Sequence, residues 1–182
     1  MNRIEQLVAN YKRMVSIPWR KDAAGAERVW FVVYDKNDER RLRAKVEEFE
    51  LVTREAKHGW CQCDVTDLFA KWLAAEEYKD SYFACPDSMS TLSYFRSYAS
   101  KHVVNVASGA TEGDVVAVFG VASLFGLMFI SELAESIRGS VKGRLLVFFP
   151  GEYADNVYRL LDARDGWNYL ATPITEHEGM NL

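Results

Sequence analysis

The chain has 182 residues, of which 49% are hydrophobic and 26% charged, the proportions of an ordinary globular protein. This length favours one domain with a substantial core over two small ones, so we predict a single domain over residues 1–182. The formal net charge of −4 argues against direct binding to nucleic acid, because neutralising phosphates requires a surplus of Lys and Arg.

Several features of the sequence predict a cytoplasmic protein. Three cysteines are too few for a disulfide framework in a chain of this length. Residues 1–5 lack the apolar core of a signal peptide. The longest apolar run, residues 115–130, is shorter than a membrane span and is broken by Gly120, Ser123 and Gly126. We therefore expect a reducing environment and no attachment to a membrane.

Hydrophobic residues at helical spacing predict five helices. These are residues 2–16, 38–56, 68–73, 89–106 (with Met89 and Leu92 on its apolar face) and 124–137. The first ends before Pro18 and should pack on the sheet. The last is apolar nearly all round, which predicts a central helix buried in the interior.

Continuous apolar runs predict strands that are buried on both faces, as in a parallel sheet. These are residues 28–34, 60–63, 115–119 and 145–149, with an edge strand near 169–174. Pro150 and Gly151 are expected to end the fourth strand. Because strands alternate with helices, the predicted fold is α/β: a single Rossmann-like or P-loop-like, doubly wound, mainly parallel sheet of about five strands with flanking helices.

Ligands of such folds meet the loops beyond the carboxyl ends of the strands, so a nucleotide site would lie there. The only glycine-rich turn, residues 120–126, has no lysine, and the bulky Leu124 and Phe125 stand where phosphate would sit. We interpret it as a tight strand-to-helix turn and a degenerate nucleotide site. The expectation is that the chain binds neither ATP nor GTP and needs no cofactor.

Three carboxylates follow three different predicted strands and form the sharpest enzymatic hypothesis. Asp35, Asp64 and Glu152 could converge on one sheet edge and hold Mg²⁺ for a phosphohydrolase or nuclease reaction. The alternative, which we favour, is that Asp35 and Asp64 are helix-capping or turn residues.

Cysteine and histidine residues suggest a weaker hypothesis, a zinc site. Cys61 and Cys63 share one face of a short strand with His58 nearby, and a fourth ligand would have to be Cys85, His102 or His177. Cys63 is equally suited to a small hydrophobic position in the core. We expect no metal.

A basic stretch in the second helix raises the hypothesis of a subunit that contacts DNA. Its residues are Arg40, Arg41, Arg43 and Lys45. Acidic residues are interspersed among them, which is typical of a solvated mixed-charge surface.

The tail segment, residues 152–169, concentrates aromatic and arginine side chains of the kinds that anchor protein interfaces. The candidate interface residues are Glu152, Tyr153, Tyr158, Arg164, Trp167 and Tyr169. The alternative is that charges in this segment pair internally and order a long irregular stretch of chain. The sequence leaves both interpretations open.

Four stretches carry a resemblance to a known family. They are Trp30-Phe-Val-Val-Tyr-Asp35, Asp38-Glu-Arg-Arg-Leu42, Gly143-Arg-Leu-Leu-Val-Phe-Phe-Pro-Gly-Glu-Tyr153 and Tyr158-Arg-Leu-Leu-Asp-Ala-Arg-Asp-Gly-Trp-Asn-Tyr-Leu170. With them the chain resembles, over essentially its whole length, the BrxB family of the bacteriophage-exclusion (BREX) defence systems of bacteria and archaea. The most specific part is residues 148–170.

The resemblance implies a small accessory subunit of a multi-protein system that blocks phage replication and methylates host DNA. The other members of such systems include a DNA methyltransferase, a large ATPase and a phosphatase-like protein. No catalytic residues come with the resemblance. It implies a scaffold that binds other BREX proteins, with the phosphatase-like subunit as the expected partner.

Overall fold

The computed structural model describes residues 2–87, 93–164 and 166–177. Its strands are β1 (Val29–Tyr34), β2 (Gly59–Asp64), β3 (Asp114–Phe119), β4 (Arg144–Ala154), β5 (Val157–Leu160), β6 (Trp167–Asn168) and β7 (Thr172–Ile174). Five of them form a parallel sheet in the order β2-β3-β4-β1-β7. The far end of β4 pairs antiparallel with β5, and β5 pairs with β6.

Seven helices surround this sheet in the described part of the chain. They are α1 (Arg3–Val15), α2 (Glu39–Arg43), α3 (Val46–Glu55), α4 (Leu68–Ala75), α5 (Lys79–Ala84), α6 (Ser93–Ala107) and α7 (Ile130–Arg138). The predicted α/β fold with a mainly parallel, Rossmann-like sheet is confirmed. Over residues 2–87, 93–164 and 166–177, none of these helices combines the length and the apolar character needed to cross a membrane.

Alternation of side chains along β1 divides the core into two layers. Trp30, Val32 and Tyr34 pack with α1 and α3, whereas Phe31 and Val33 pack with α4, α6 and α7. Strand β1 can contribute to both layers because all six of its residues are buried and successive side chains point to opposite faces. We refer to the two sides of the sheet as the α1 face and the α6 face.

The first helix packs on the sheet because its start is well capped and one side is apolar. The Asn2 side chain accepts a hydrogen bond from the Glu5 amide, and the Glu5 carboxylate accepts one from the Asn2 amide. Tyr11, fully buried, lies within 2.6 Å of the Thr53 hydroxyl of α3. This hydrogen bond fixes α1 against α3 on the α1 face.

The predicted helix over residues 124–137 is wrong in its start and in its burial. Residues 121–124 form a short 3₁₀ turn, Gly126 adopts a φ of 78°, and α7 begins only at Ile130. Leu133 and Ile137 face the core while Glu135 faces solvent, so α7 is an amphipathic surface helix and not a central one. Leu127 is half-buried in the turn that precedes it.

Two other predicted helices also differ from the observed ones. The helix predicted over residues 38–56 is divided into α2 and α3 at Ala44 and Lys45. In the helix predicted over residues 89–106, Met89 and Leu92 lie outside the described residues, and the remainder forms α6.

The prediction that Pro150 and Gly151 end a strand is also wrong. Strand β4 continues through them to Ala154 and leaves the parallel sheet to pair with β5. The connection is a two-residue turn in which Asp155 and Asn156 have φ of 51° and 63°. Positive φ at both positions is the requirement of a type I′ hairpin, which Asp and Asn tolerate. Much of the tail segment is therefore a β-hairpin and not irregular chain.

Candidate functional site

Strand connections create a crevice at the carboxyl ends of β1 and β4. The chain leaves β1 toward the α1 face, where α2 and α3 lie, and leaves β4 toward the α6 face, where β5 packs. In open α/β sheets, neighbouring strands with such divergent connections border the usual ligand crevice. Here it is a cavity of about 440 Å³, lined among others by Arg3, Asp35, Lys36, Glu152 and Asp162.

Basic side chains of the crevice are already engaged by carboxylates. Lys36 pairs with Asp162, while Arg3 lies 3.5 Å from Asp35 and 3.4 Å from Glu176. A phosphate group would have to compete with these carboxylates for both cations. The crevice therefore has the location of a nucleotide site, but the Arg3 and Lys36 side chains that line it are held by carboxylates in the described part of the chain.

The three predicted metal-binding carboxylates do not converge. Asp35 and Glu152 line the crevice, but Asp64 ends β2, three strand positions from β1 and thus on the order of 14 Å away. Within the described residues, no three Asp, Glu, His or Cys side chains lie close enough together to hold a metal ion. The hypothesis that Asp35, Asp64 and Glu152 share one cation is therefore wrong.

Asp64 has a structural role instead. Its carboxylate accepts hydrogen bonds from the Thr66 amide at 2.9 Å and from Arg43 at 3.3 Å. Partial burial disfavours the charge, but the bonds from Thr66 and Arg43 outweigh it and hold the pKa of Asp64 below its usual value. These contacts fix the turn that follows β2, so Asp64 is a turn residue and not the cap of α4, whose first flanking residue is Asp67.

The glycine turn after β3 is shaped by close packing. Gly120 has a φ of 82°, and a Cβ there would lie 2.2 Å from the Thr66 hydroxyl and 2.7 Å from an Asp64 oxygen. Glycine is thus required by the approach of the neighbouring loop, which explains its presence without a bound phosphate.

The predicted zinc-site residues each have another environment. Cys63 is 3% exposed, and burial raises the pKa of its thiol to about 11. The Cys61 sulfur lies 3.3 Å from the carbonyl oxygen of Val106. The imidazole of His58 stacks on Trp19 with ring centroids 3.5 Å apart. Cys63 thus occupies the small hydrophobic position in the core that we considered as the alternative.

A second concave surface, the apolar groove, lies on the α6 face beside the tail segment. Its volume is about 360 Å³. One wall is formed by the chain that precedes α7, and the other by the chain that follows β5. The lining residues are Arg96, Phe125, Gly126, Leu127, Met128, Phe129, Ile130, Leu160, Ala163, Arg164 and Trp167. Phe125 is 50% and Phe129 60% exposed. Exposed aromatic side chains beside a concave apolar surface are typical of a binding site.

The polar side chains that line the groove are few and are all donors. Arg96 lies 3.6 Å from Glu132 and donates to the Leu127 carbonyl, whereas Arg164 is exposed and has no ion-pair partner among the described residues. The indole nitrogen of Trp167 is buried and has no hydrogen-bond acceptor within the described part of the chain. Trp167 packs against Phe129, with ring centroids 6.1 Å apart.

The structure distributes the predicted interface residues over three environments. Glu152 and Tyr153 line the crevice, while Arg164 and Trp167 line the groove. Tyr169 is half-buried with an enclosed hydroxyl, and burial raises its pKa to about 12. Tyr158 is fully buried and belongs to the core, so its inclusion in a surface was wrong.

Sequence reasoning missed Phe125 and Phe129, because it assigned both to a buried helix. The sequence does contain a signal for the true start of α7. Glu132 accepts a hydrogen bond from the Phe129 amide at 3.1 Å, which is how a glutamate three residues into a helix caps it.

In comparisons with known proteins, no family model matches the chain, and no curated protein or solved structure is significantly similar to it. The resemblance to the BrxB family therefore stays a prediction.

Proposed function

We propose that this chain is a non-catalytic accessory or scaffold subunit of a BREX anti-phage defence system and acts in the cytoplasm by binding other subunits. The partner we expect is the phosphatase-like subunit. The proposal joins the resemblance of residues 148–170 to the BrxB family with the character of the surface that these residues help to build.

The apolar groove is the observation that carries this proposal. Phe125 and Phe129 expose half or more of their surface beside a concavity whose other wall carries Trp167 and Arg164. Aromatic and arginine side chains around an apolar centre are the usual composition of interface hot spots. Four of the groove's residues, Leu160, Ala163, Arg164 and Trp167, come from the stretch on which the family resemblance is strongest.

The chemistry elsewhere in the described residues supports a binding role over catalysis. Asp64 lies apart from Asp35 and Glu152, and Arg3 and Lys36 in the crevice are paired with carboxylates. An enzyme needs its reacting groups held together in one site.

The charges of α2 and its flanks support a protein partner over nucleic acid. Arg41 pairs with Asp38, Arg43 pairs with Glu39 and Asp64, and Lys45 pairs with Glu48. Cations neutralised in this way release few counterions on meeting DNA, and such release is the main source of affinity for phosphate backbones.

Binding to each companion subunit tests the proposal directly. The purified chain would be mixed in turn with the methyltransferase, the ATPase and the phosphatase-like subunit, and complexes measured by size-exclusion chromatography and calorimetry. Substituting Tyr153, Arg164 or Trp167 by Ala should weaken binding to the true partner by about 1 kcal/mol or more for an anchor residue. Phage restriction should fall with the affinity.

The control must separate lost binding from lost folding. Phe129→Ser removes an exposed ring from the groove, and Phe83→Ser removes an equally exposed ring, 69% accessible, from α5 outside it. Both variants should melt as the parent does. If folded groove variants and the parent bind no companion subunit at all, the proposed function is wrong.

A further inference from the structure

The apolar groove is lined by positive charge, whereas the protein as a whole is negatively charged. The whole chain has a formal net charge of −4, yet the groove lining contains two arginines and no acidic residue. Glu132 neutralises Arg96 in part, whereas Arg164 has no carboxylate partner within the described residues. Among the described residues, one end of the groove is therefore a cation with no ion-pair partner.

Trp167 contributes an aromatic wall to the groove. Its ring packs against that of Phe129, with centroids 6.1 Å apart, and Phe129 is 60% exposed. The groove therefore combines apolar walls with a positive charge at Arg164.

Resting on the function proposed above, we propose that the apolar groove binds an acidic-apolar segment of the partner subunit. Apolar side chains of that segment lie between Phe125, Phe129 and Trp167, and a neighbouring carboxylate pairs with Arg164. A planar guanidinium binds a carboxylate through two parallel hydrogen bonds, which gives the contact geometric specificity as well as charge complementarity.

An anionic membrane surface would also offer negative charge and apolar groups. Two observations favour a peptide segment. The net charge of −4 opposes approach of the whole protein to anionic lipid. The site is also concave, so a flat lipid surface would meet only its protruding rings.

The test uses the full chain and the full-length phosphatase-like subunit, with Kd measured over a range of NaCl concentrations. Arg164→Gln should weaken binding about tenfold and Arg164→Glu should weaken it further. The affinity of the parent should fall with salt more steeply than that of Arg164→Gln, because the lost ion pair is the screened one. Arg40→Gln, an exposed arginine on α2, is the matched control and should leave Kd unchanged.

Short overlapping peptides from the same partner identify the segment. The peptides that bind should carry Asp or Glu beside Leu, Met or Phe, and they should lose affinity for Phe129→Ser. Phe125→Ser removes the other exposed ring of the groove and serves as the test variant if Phe129→Ser does not fold. Vesicles of phosphatidylcholine and phosphatidylserine are the alternative probe.

Each outcome bears on a different claim. If the parent binds the subunit but Arg164→Glu, Phe129→Ser and Phe125→Ser bind it equally well, the groove is not the docking site, while the proposed function stands. Vesicle binding that the same substitutions abolish, with no effect on the subunit, would assign the groove to lipid. If the parent binds no companion subunit, the proposed function falls and this inference falls with it.

Discussion

Tyr158 on β5 meets Phe31 on β1 edge to face, with ring centroids 4.9 Å apart and planes inclined by 66°. Its hydroxyl donates a 2.9 Å hydrogen bond to the carbonyl oxygen of Ala171, just before β7. One side chain thus joins the hairpin, strand β1 and the chain that leads to the sheet edge. The hairpin is consequently part of the core of the α6 face, and its outer residues are held on a rigid support.

The first prediction concerns Tyr158. Tyr158→Ala should lower the free energy of unfolding by about 3–5 kcal/mol, because it leaves a large cavity among aromatic rings. Tyr158→Phe should cost only about 1–2 kcal/mol, since it removes one hydrogen bond and leaves the Ala171 carbonyl unpaired. Equilibrium unfolding in urea measures both. Equal midpoints for the two variants would show that packing of the ring contributes little.

A second prediction concerns Arg144, which is 6% exposed and lies over two indole rings. Its guanidinium carbon is 4.7 Å from the centre of Trp19 and 5.9 Å from that of Trp30. No carboxylate of residues 2–87, 93–164 and 166–177 forms an ion pair with it, and burial, with nearby Arg28, lowers its pKa. The cation is held by stacking on these two rings, by a 3.5 Å hydrogen bond to the Arg20 carbonyl and by the nearby charge of Glu27.

Replacing Arg144 therefore separates the value of its charge from that of its volume. Arg144→Met keeps the packing and removes the desolvation cost, so it should lose at most about 1 kcal/mol, the approximate strength of a cation–π contact. Arg144→Ala also removes the stem between the rings and should lose at least about 2 kcal/mol. Denaturant titration of both variants measures the two losses in the free energy of unfolding. If Arg144→Met is as unstable as Arg144→Ala, the packing of the Arg144 stem contributes little and the prediction is wrong.

The fold was more predictable from the sequence than the site. Strands β1, β3 and β4 can be recognised in the sequence as continuous apolar runs, because both faces of an interior parallel strand are buried. The extension of β4 past Pro150 could not be predicted from the sequence, since proline and glycine normally end a strand. Here the strand leaves the parallel sheet at that point and finds a new antiparallel partner in β5.

The positions of site residues depended on information that local patterns lack. Asp35 follows β1 and Asp64 ends β2, close to where the sequence predicts, whereas Glu152 lies within β4. Strand order decides which strand ends are neighbours, and β2 lies at the sheet edge. Phe125 and Phe129 looked like core residues because hydrophobicity alone does not distinguish a buried ring from an exposed one. Their exposure follows from the left-handed backbone at Gly126 and the late start of α7.

A third prediction uses two glycines with similar backbone conformation and different surroundings. Gly120 and Gly126 have φ of 82° and 78°, but a Cβ on Gly126 would meet no atom within 4 Å. Gly126→Ala should therefore cost only the backbone penalty of about 1–2 kcal/mol. Gly120→Ala should cost distinctly more, because its Cβ would collide with Thr66 and Asp64. Thermal unfolding of the two variants measures their losses of stability. Equal losses would show that the loop after β2 moves away from the added Cβ at little cost.

The last prediction is the pH dependence of the contacts at Asp64. Its pKa is lowered in the folded protein, so the ionised carboxylate stabilises the fold at pH values above its ordinary pKa of about 3.9. This stabilisation should be lost as the pH falls through the lower, folded-state pKa. Asp64→Asn should accordingly unfold more easily than the parent at pH 7. The difference between them should shrink below about pH 4 and vanish once Asp64 is protonated in both states.

The size of this effect is limited by solvent, because the Asp64 side chain is 44% exposed. We expect a loss of under about 1 kcal/mol at neutral pH, reduced further by salt, as for other partly exposed ion pairs. The matched control is Asp67→Asn, an exposed carboxylate on the next turn whose side chain makes no capping hydrogen bond to α4. Urea midpoints of the parent and both variants, measured from pH 7 down to acid, provide the comparison. A destabilisation by Asp64→Asn that stayed constant across the whole range would mean that shape and hydrogen bonding at this turn matter and that its charge does not.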